Sequence, residues 1–223
     1  MLGAHLAVGS IPYGRGKAGA WEALAGARGP WLLARSGAVR SVALDRGELW
    51  RLFSAPFLHV NGLHLVANLV GLALVGRVVE AVFGRARALG LFVACAAAGS
   101  LASWLIGRTE TSAGASGGLF GWMGALLAFG LGRGRLLPPD LRGSLQAQLG
   151  ASVVLNLGIG LLVPMIDNLA HIGGLLAGLG LGLVTDDRVR AGPAPSAGRG
   201  RLIALLCAAA LGWGALGVGA RWP

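Results

Sequence analysis

Charge is what this sequence has least of. Only 13% of its 223 residues are Asp, Glu, Lys or Arg and 55% are hydrophobic, with a mean hydropathy of +0.69, whereas soluble domains carry about 25% charged residues. That balance excludes an ordinary soluble domain and reads as a polytopic membrane protein. Cysteine is scarce as well: Cys95 and Cys207 lie far apart in separate apolar runs, which excludes a disulfide framework and a thiolate metal site. Acidic residues number 9 against 19 basic ones, a formal net charge of +10. The cations are almost all Arg and are scattered between apolar runs, not interleaved with aromatics along a face, so no nucleic-acid partner is expected. Met1 to Pro12 lacks a basic leading region and its apolar stretch is short, so no cleavable signal peptide is expected. No repeat of about 20 to 50 residues is visible, and the spans are individually distinct, which argues against an inverted-repeat transporter. A spanning run is also missing from residues 1–49, where Glu22, Arg28, Arg35 and Arg40 break every apolar patch. This segment is expected to be membrane-surface or irregular.

What is present starts at Leu49-Trp50-Arg51-Leu52-Phe53, an aromatic beside a cation suited to the headgroup layer, followed by Pro56-Phe57-Leu58-His59. Six candidate spans follow, at about Leu63–Val82, Ala88–Ile106, Gly118–Gly132, Leu149–Ile166, Leu169–Val184 and Leu202–Ala220. The fold class expected is all-α, a polytopic membrane helical bundle of about six transmembrane helices. Arg77, Arg85 and Arg87 follow the first span, Arg133, Arg135 and Arg142 the third, and Arg188, Arg190, Arg199 and Arg201 the fifth. The alternate connections carry Arg108 with Glu110, and Asp167. The positive-inside rule makes the first set cytoplasmic and the second external, with 188–201 a Pro/Gly/Ala-rich cytoplasmic linker before an additional helix in 202–223.

Ionisable residues inside spans are costly and usually face a bundle interior or a wet cavity. His64 and Asn68 are one helical turn apart on the first span. Ser116 opens the third span within Gly114-Ala115-Ser116-Gly117-Gly118, and His171 lies early in the fifth. All three spans run outside to inside, so these residues can meet at one depth. Gly117, Gly121 and Gly124 on the third span and Gly174, Gly178 and Gly182 on the fifth form small-residue stripes that let the two helices approach closely. A Ser beside a His base is the minimal activated hydroxyl nucleophile. The Ser116 backbone N–H, with His64 and Asn68 as side-chain donors, would hold the oxyanion.

In order along the chain, Trp50-Arg51, Phe57-Leu58-His59 with His64 and Asn68, Glu80 with Gly84, Gly114-x-Ser116-Gly117 and Ala170-His171-x-Gly173-Gly174 resemble the signatures of the rhomboid intramembrane serine proteases of bacterial type. The resemblance covers roughly Val42 to Val184, with residues 50–187 as the protease core. It implies a Ser116–His171 dyad without a third acidic member and without metal or cofactor, in a water-filled cavity open to the external side of the inner membrane. It further implies that His64 and Asn68 line the oxyanion site, that Gly114 and Gly117 leave backbone room around the nucleophile, and that Phe120 packs its ring against His171. The partners implied are the lipid bilayer and transmembrane protein substrates that unwind readily. Asp167, one turn before His171, reads as a helix-start acid, His59 as ordering its loop, and Arg51 and Glu80 as structural. Family members usually carry a further span ahead of the Trp-Arg loop, and residues 1–49 contain no convincing one. Two rival readings stand beside the protease: an inactive rhomboid-like protein that binds or escorts membrane clients, and a channel or transporter lined by His64, Asn68 and His171.

Overall fold

The structure is a computed structural model that describes residues 29–132, 137–185 and 197–219. The expectations for residues 1–28, for most of the 188–201 linker and for the last four residues lie outside these. The described chain is an all-α bundle. Three short helices, α1 (Pro30–Ser36), α2 (Ser41–Asp45) and α3 (Arg51–Ser54), precede six longer ones. These are α4 (Gly62–Phe83), α5 (Arg85–Ala102, continued by a π-helical turn Ser103–Gly107), α6 (Ser116–Gly132), α7 (Pro139–Leu162), α8 (Asn168–Val184) and α9 (Ala197–Gly219).

Local chemistry sets the boundaries. The Asn61 side chain accepts the His64 N–H at 2.8 Å and starts α4. Gly84, at φ 83°, breaks the chain between α4 and α5 in a conformation that a side chain would strain. Asp167 caps α8 by accepting the Ala170 N–H at 3.0 Å. The fourth span differs from its expected limits. It begins ten residues earlier, because Pro139 at the first helical position supports a start the apolar run does not announce. It ends at Leu162, since Pro164 drives Val163 into an extended conformation, ψ 103°. α9 likewise starts at Ala197, inside the segment read as linker.

Helix α6 is the centre of the bundle, buried from Gly117 to Leu126 and again from Ala128 to Gly130, with α5 and α8 against it. The α6–α8 contact is backbone on backbone. A Cβ placed on Gly174 would lie 2.0 Å from the Gly117 carbonyl oxygen, and one on Gly178 2.0 Å from that of Gly121. Small residues permit this approach, and van der Waals contact between the two backbones replaces side-chain packing. The leucines and valines of α4 and α7 that point away from this centre, such as Leu69, Val154 and Leu155, are exposed. Such a surface is stable in lipid, where apolar side chains meet apolar tails.

Residues 29–57 are neither irregular nor merely surface-bound. Leu33, Ala38, Val39 and Leu44 are buried, and Val39 forms an isolated antiparallel bridge with Ser112. Trp50 and Arg51, expected at the headgroup layer, are also buried. The Arg51 guanidinium donates to the carbonyls of Ala34 at 2.5 Å and Ala38 at 2.9 Å and pairs with Glu48 at 2.8 Å. A desolvated guanidinium needs this full set of partners. Among the residues expected to be structural, Arg51 has this role, while Glu80 forms a looser, solvent-facing pair with Arg85 at 3.6 Å. α9 closes the near side: its Gly217 and Gly214 lie against Trp50 and the Phe53–Ser54 backbone, and Trp213 meets Phe53 at 5.9 Å.

Candidate active site

Ser116 is the first residue of α6, and the loop leading to it is fixed from outside the bundle. Val39 and Ser112 exchange both backbone hydrogen bonds at 2.9 Å, the Ser41 N–H donates to Thr109, and the Gly114 N–H donates to the Ala55 carbonyl at 3.1 Å. The short helices therefore hold the loop, and the loop aims Ser116. Gly114 adopts φ 140°, a conformation that disfavours any side chain, and a Cβ there would lie 2.7 Å from His64 Cε1.

His171, one turn into α8, is buried and faces this point. Its Nε2 lies 2.8 Å from Ser116 Oγ. On its other side the imidazole stacks on Phe120, centroids 4.3 Å apart and planes 9° from parallel. Its Nδ1 is buried with no hydrogen-bond partner among the described residues. Asp167 does not approach that nitrogen as a partner: one carboxylate oxygen caps α8 and the other accepts a hydrogen bond from Ser103 Oγ. The glycine contacts of α6 and α8 bring the two halves of the pair together.

His64 and Asn68 line the same cavity from α4. Asn68 is buried and donates one N–H to the His64 carbonyl at 3.0 Å, leaving its second N–H for another acceptor. His59, also buried, meets the His64 ring edge-on at 5.1 Å and so belongs to the wall behind it. The cavity holds about 1010 Å³ and runs from Ser116 and His171 down between α4 and α7. Each residue proposed from the sequence for this site thus lies in one region: Gly114, Ser116, Gly117, Phe120, His64, Asn68 and His171 all line the cavity. The sequence reading does not include Gln148, Ser152 and Asn156, which line its α7 wall. Their four-residue spacing on an otherwise apolar span is a signal that the residues themselves carry. Among the described residues no cluster of His, Cys, Asp and Glu could hold a metal ion.

Chemically the arrangement offers a hydroxyl in contact with an imidazole, further N–H donors nearby, and a volume large enough for a peptide segment. Comparison with known proteins agrees with this architecture. A Rhomboid domain profile matches residues 46–187. The chain is 38% identical over 142 residues to Rhomboid protease GluP of Bacillus subtilis (strain 168), covering 64% of this chain and 27% of that protein. It is 39% identical over 154 residues to RHOMBOID-like protein 5 of Arabidopsis thaliana, covering 68% and 49%. It is also 32% identical over 133 residues to Inactive RHOMBOID-like protein 8 of the same plant, covering 60% and 37%. The chain spans less than half the length of each of these relatives. The matched domain runs from just before Trp50 to just beyond α8, well over half of the chain, and the protein belongs to the rhomboid family, helical integral membrane proteins that include intramembrane serine proteases and some inactive members.

Proposed function

We propose that this protein is an intramembrane serine endopeptidase that cleaves peptide bonds in or near transmembrane segments of other membrane proteins, with Ser116 as nucleophile and His171 as general base. The observation that carries this reading is the 2.8 Å contact between Ser116 Oγ and His171 Nε2 inside a cavity of about 1010 Å³. In the first step His171 Nε2 takes the hydroxyl proton as Oγ attacks the carbonyl carbon of the scissile bond, and His171 returns that proton to the departing amine. A water deprotonated by the same imidazole then attacks the acyl-enzyme, Ser116 Oγ departs as His171 returns that proton to it, and the product bearing the new carboxyl group leaves. The oxyanion formed in each half faces the Ser116 N–H, His64 and the spare N–H of Asn68. Stacking on Phe120 holds the imidazole plane in place of a third acidic residue, and no metal or cofactor takes part.

Residues 50–187 form the proteolytic core, and α9 is an additional helix beside it. The site opens to the external side of a bacterial inner membrane, a topology supported by the placement of arginines in alternate connections. Substrates are membrane proteins whose segment unwinds at the cut, because a helical carbonyl is shielded from attack. To test the reading, the protein and its Ser116→Ala variant are purified in detergent and incubated with model transmembrane substrates. The wild type cleaves, and the variant is slower by at least about a thousandfold; undiminished cleavage by Ser116→Ala would overturn the assignment. A silent wild type that still binds substrates would favour the escort reading, which the similarity to an inactive relative keeps in view.

A further inference from the structure

Within α7 from Ala147 to Leu162, the polar side chains are Gln148, Ser152 and Asn156, and all three line the cavity. The opposite face of the same stretch carries Val154 and Leu161, both apolar and exposed. Polar groups at membrane depth are costly unless they meet partners, so their confinement to one wall marks that wall as a place where partners arrive. Little of their bonding capacity is spent internally. Asn156 donates one N–H to the Ser152 carbonyl and Gln148 one to Ser144 Oγ, both at 2.8 Å, and the two amide oxygens have no partner among the described residues. The facing wall of α4 is apolar below Asn68, at Val70, Gly71, Leu74, Val75 and Val78.

The register of α7 against α6 fixes the depth of this strip. The two helices form an antiparallel hairpin in which Gln146 Nε2 donates to the Leu126 carbonyl at 3.3 Å. Counting equal numbers of residues back along each helix brings Asn156 level with Ser116, with Ser152 and Gln148 one and two turns deeper. At about 1.5 Å per residue the strip extends roughly 12 Å inward from the site.

We propose that Gln148, Ser152 and Asn156 form a selectivity strip that recognises an amide or hydroxyl side chain in the substrate's transmembrane segment, within about eight residues on the inner side of the cut. The proposal rests on the protease reading for the cut itself, but not for binding. A segment with Asn, Gln, Ser or Thr at that depth satisfies the strip from one side and loses no apolar contact with α4. A purely apolar segment leaves the strip unpaired.

Two model transmembrane peptides serve as probes, identical around the cleavage site and differing only in Asn or Leu two turns further in. Association is measured by energy transfer in phosphatidylethanolamine/phosphatidylglycerol vesicles, using full-length Ser116→Ala protein so that no cleavage intervenes. The Asn peptide binds about threefold or more tightly than the Leu peptide. Gln148→Leu/Ser152→Ala/Asn156→Leu in the same background brings the ratio close to one, Asn156→Leu alone lowers it, and Val154→Asn on the outer face leaves it unchanged. A ratio near one before the strip is altered, or an unchanged ratio after it is removed, overturns the proposal. Cleavage assays with Ser116 intact are run in parallel: if the binding ratio behaves as stated and neither peptide is cut, the strip stands and the protease reading falls.

Discussion

The imidazole of His171 lies flat on the phenyl ring of Phe120, with the planes 9° from parallel at 4.3 Å. The two residues sit on different helices, α8 and α6, and the second also carries Ser116. A single helix thus presents both the hydroxyl and the ring on which the imidazole lies.

Removing that surface should loosen the imidazole without removing it. Phe120→Ala is expected to lower kcat by about 10- to 100-fold, the scale of a small misplacement of a reacting group, while KM changes little. Phe120→Tyr, which preserves the stack, should retain most of the activity. Steady-state kinetics on a quenched transmembrane substrate decide it.

Asp167 offers the contrast. Its carboxylate is committed to the α8 cap and to Ser103, so Asp167→Ala should cost about 1 kcal/mol of stability, as lost caps do, with only a severalfold fall in kcat. A loss on the order of 10⁴-fold, the scale for the acidic member of a triad, would show that it acts on His171 after all. Thermal unfolding measured beside kinetics separates the two.

A histidine base gives activity a direction in pH. The neutral imidazole accepts the Ser116 proton and the protonated one cannot, so kcat/KM should fall on the acid side with a slope of one decade per pH unit. A flat profile down to strongly acidic pH would rule out His171 as the base.

Asp45 ties a second acid dependence to folding. Hydrogen bonds from Arg108 and then from Trp104, at 2.8 Å for the indole, hold its carboxyl down to about 2 from the ordinary 3.8. Because the folded value is the lower one, the contribution is fully present above the ordinary value and is lost as pH falls from about 4 through about 2. The pair is exposed, so added salt should weaken it. Unfolding midpoints of wild type and Asp45→Asn, compared across that window at low and high salt, should converge at the acid end.

Packing sets the last expectation. Gly178→Ala places a methyl group 2.0 Å from the Gly121 carbonyl oxygen, and neither backbone has a side chain that can turn aside. A loss of about 1–3 kcal/mol is expected for such overpacking, together with reduced activity, since the shift separates α8 from α6. Gly180→Ala, where a Cβ would meet nothing within 4 Å, should be neutral in the same unfolding assay.

Much of the bundle was legible because its signals are local. Apolar runs marked α4, α5, α6, α8 and α9, four-residue spacing brought His64 and Asn68 onto one face, and the glycine stripes signalled the close contact of α6 with α8. Residues 29–57 were not legible in the same way. Their helices are too short for periodicity, and their burial depends on partners remote in sequence, Ser112 for Val39 and the Ala34 and Ala38 carbonyls for Arg51. Trp50 next to Arg51 suggests a headgroup anchor until α9 covers the indole, a contact that composition cannot reveal. The limits of α7 were obscured because its first two turns are polar, Pro139 lies ahead of the apolar run, and Pro164 sits near the end of that run with apolar residues on both sides.

Helices α6 and α8 have 17 residues each, against 22 in α4 and 24 in α7. At about 1.5 Å per residue the inner pair reaches only some 25 Å, short of the roughly 30 Å of an average hydrocarbon core, while the outer helices match or exceed it. The bundle is thus shorter at its centre than at its rim, and because α6 is buried over most of its length, the difference at the centre is one that water rather than lipid fills.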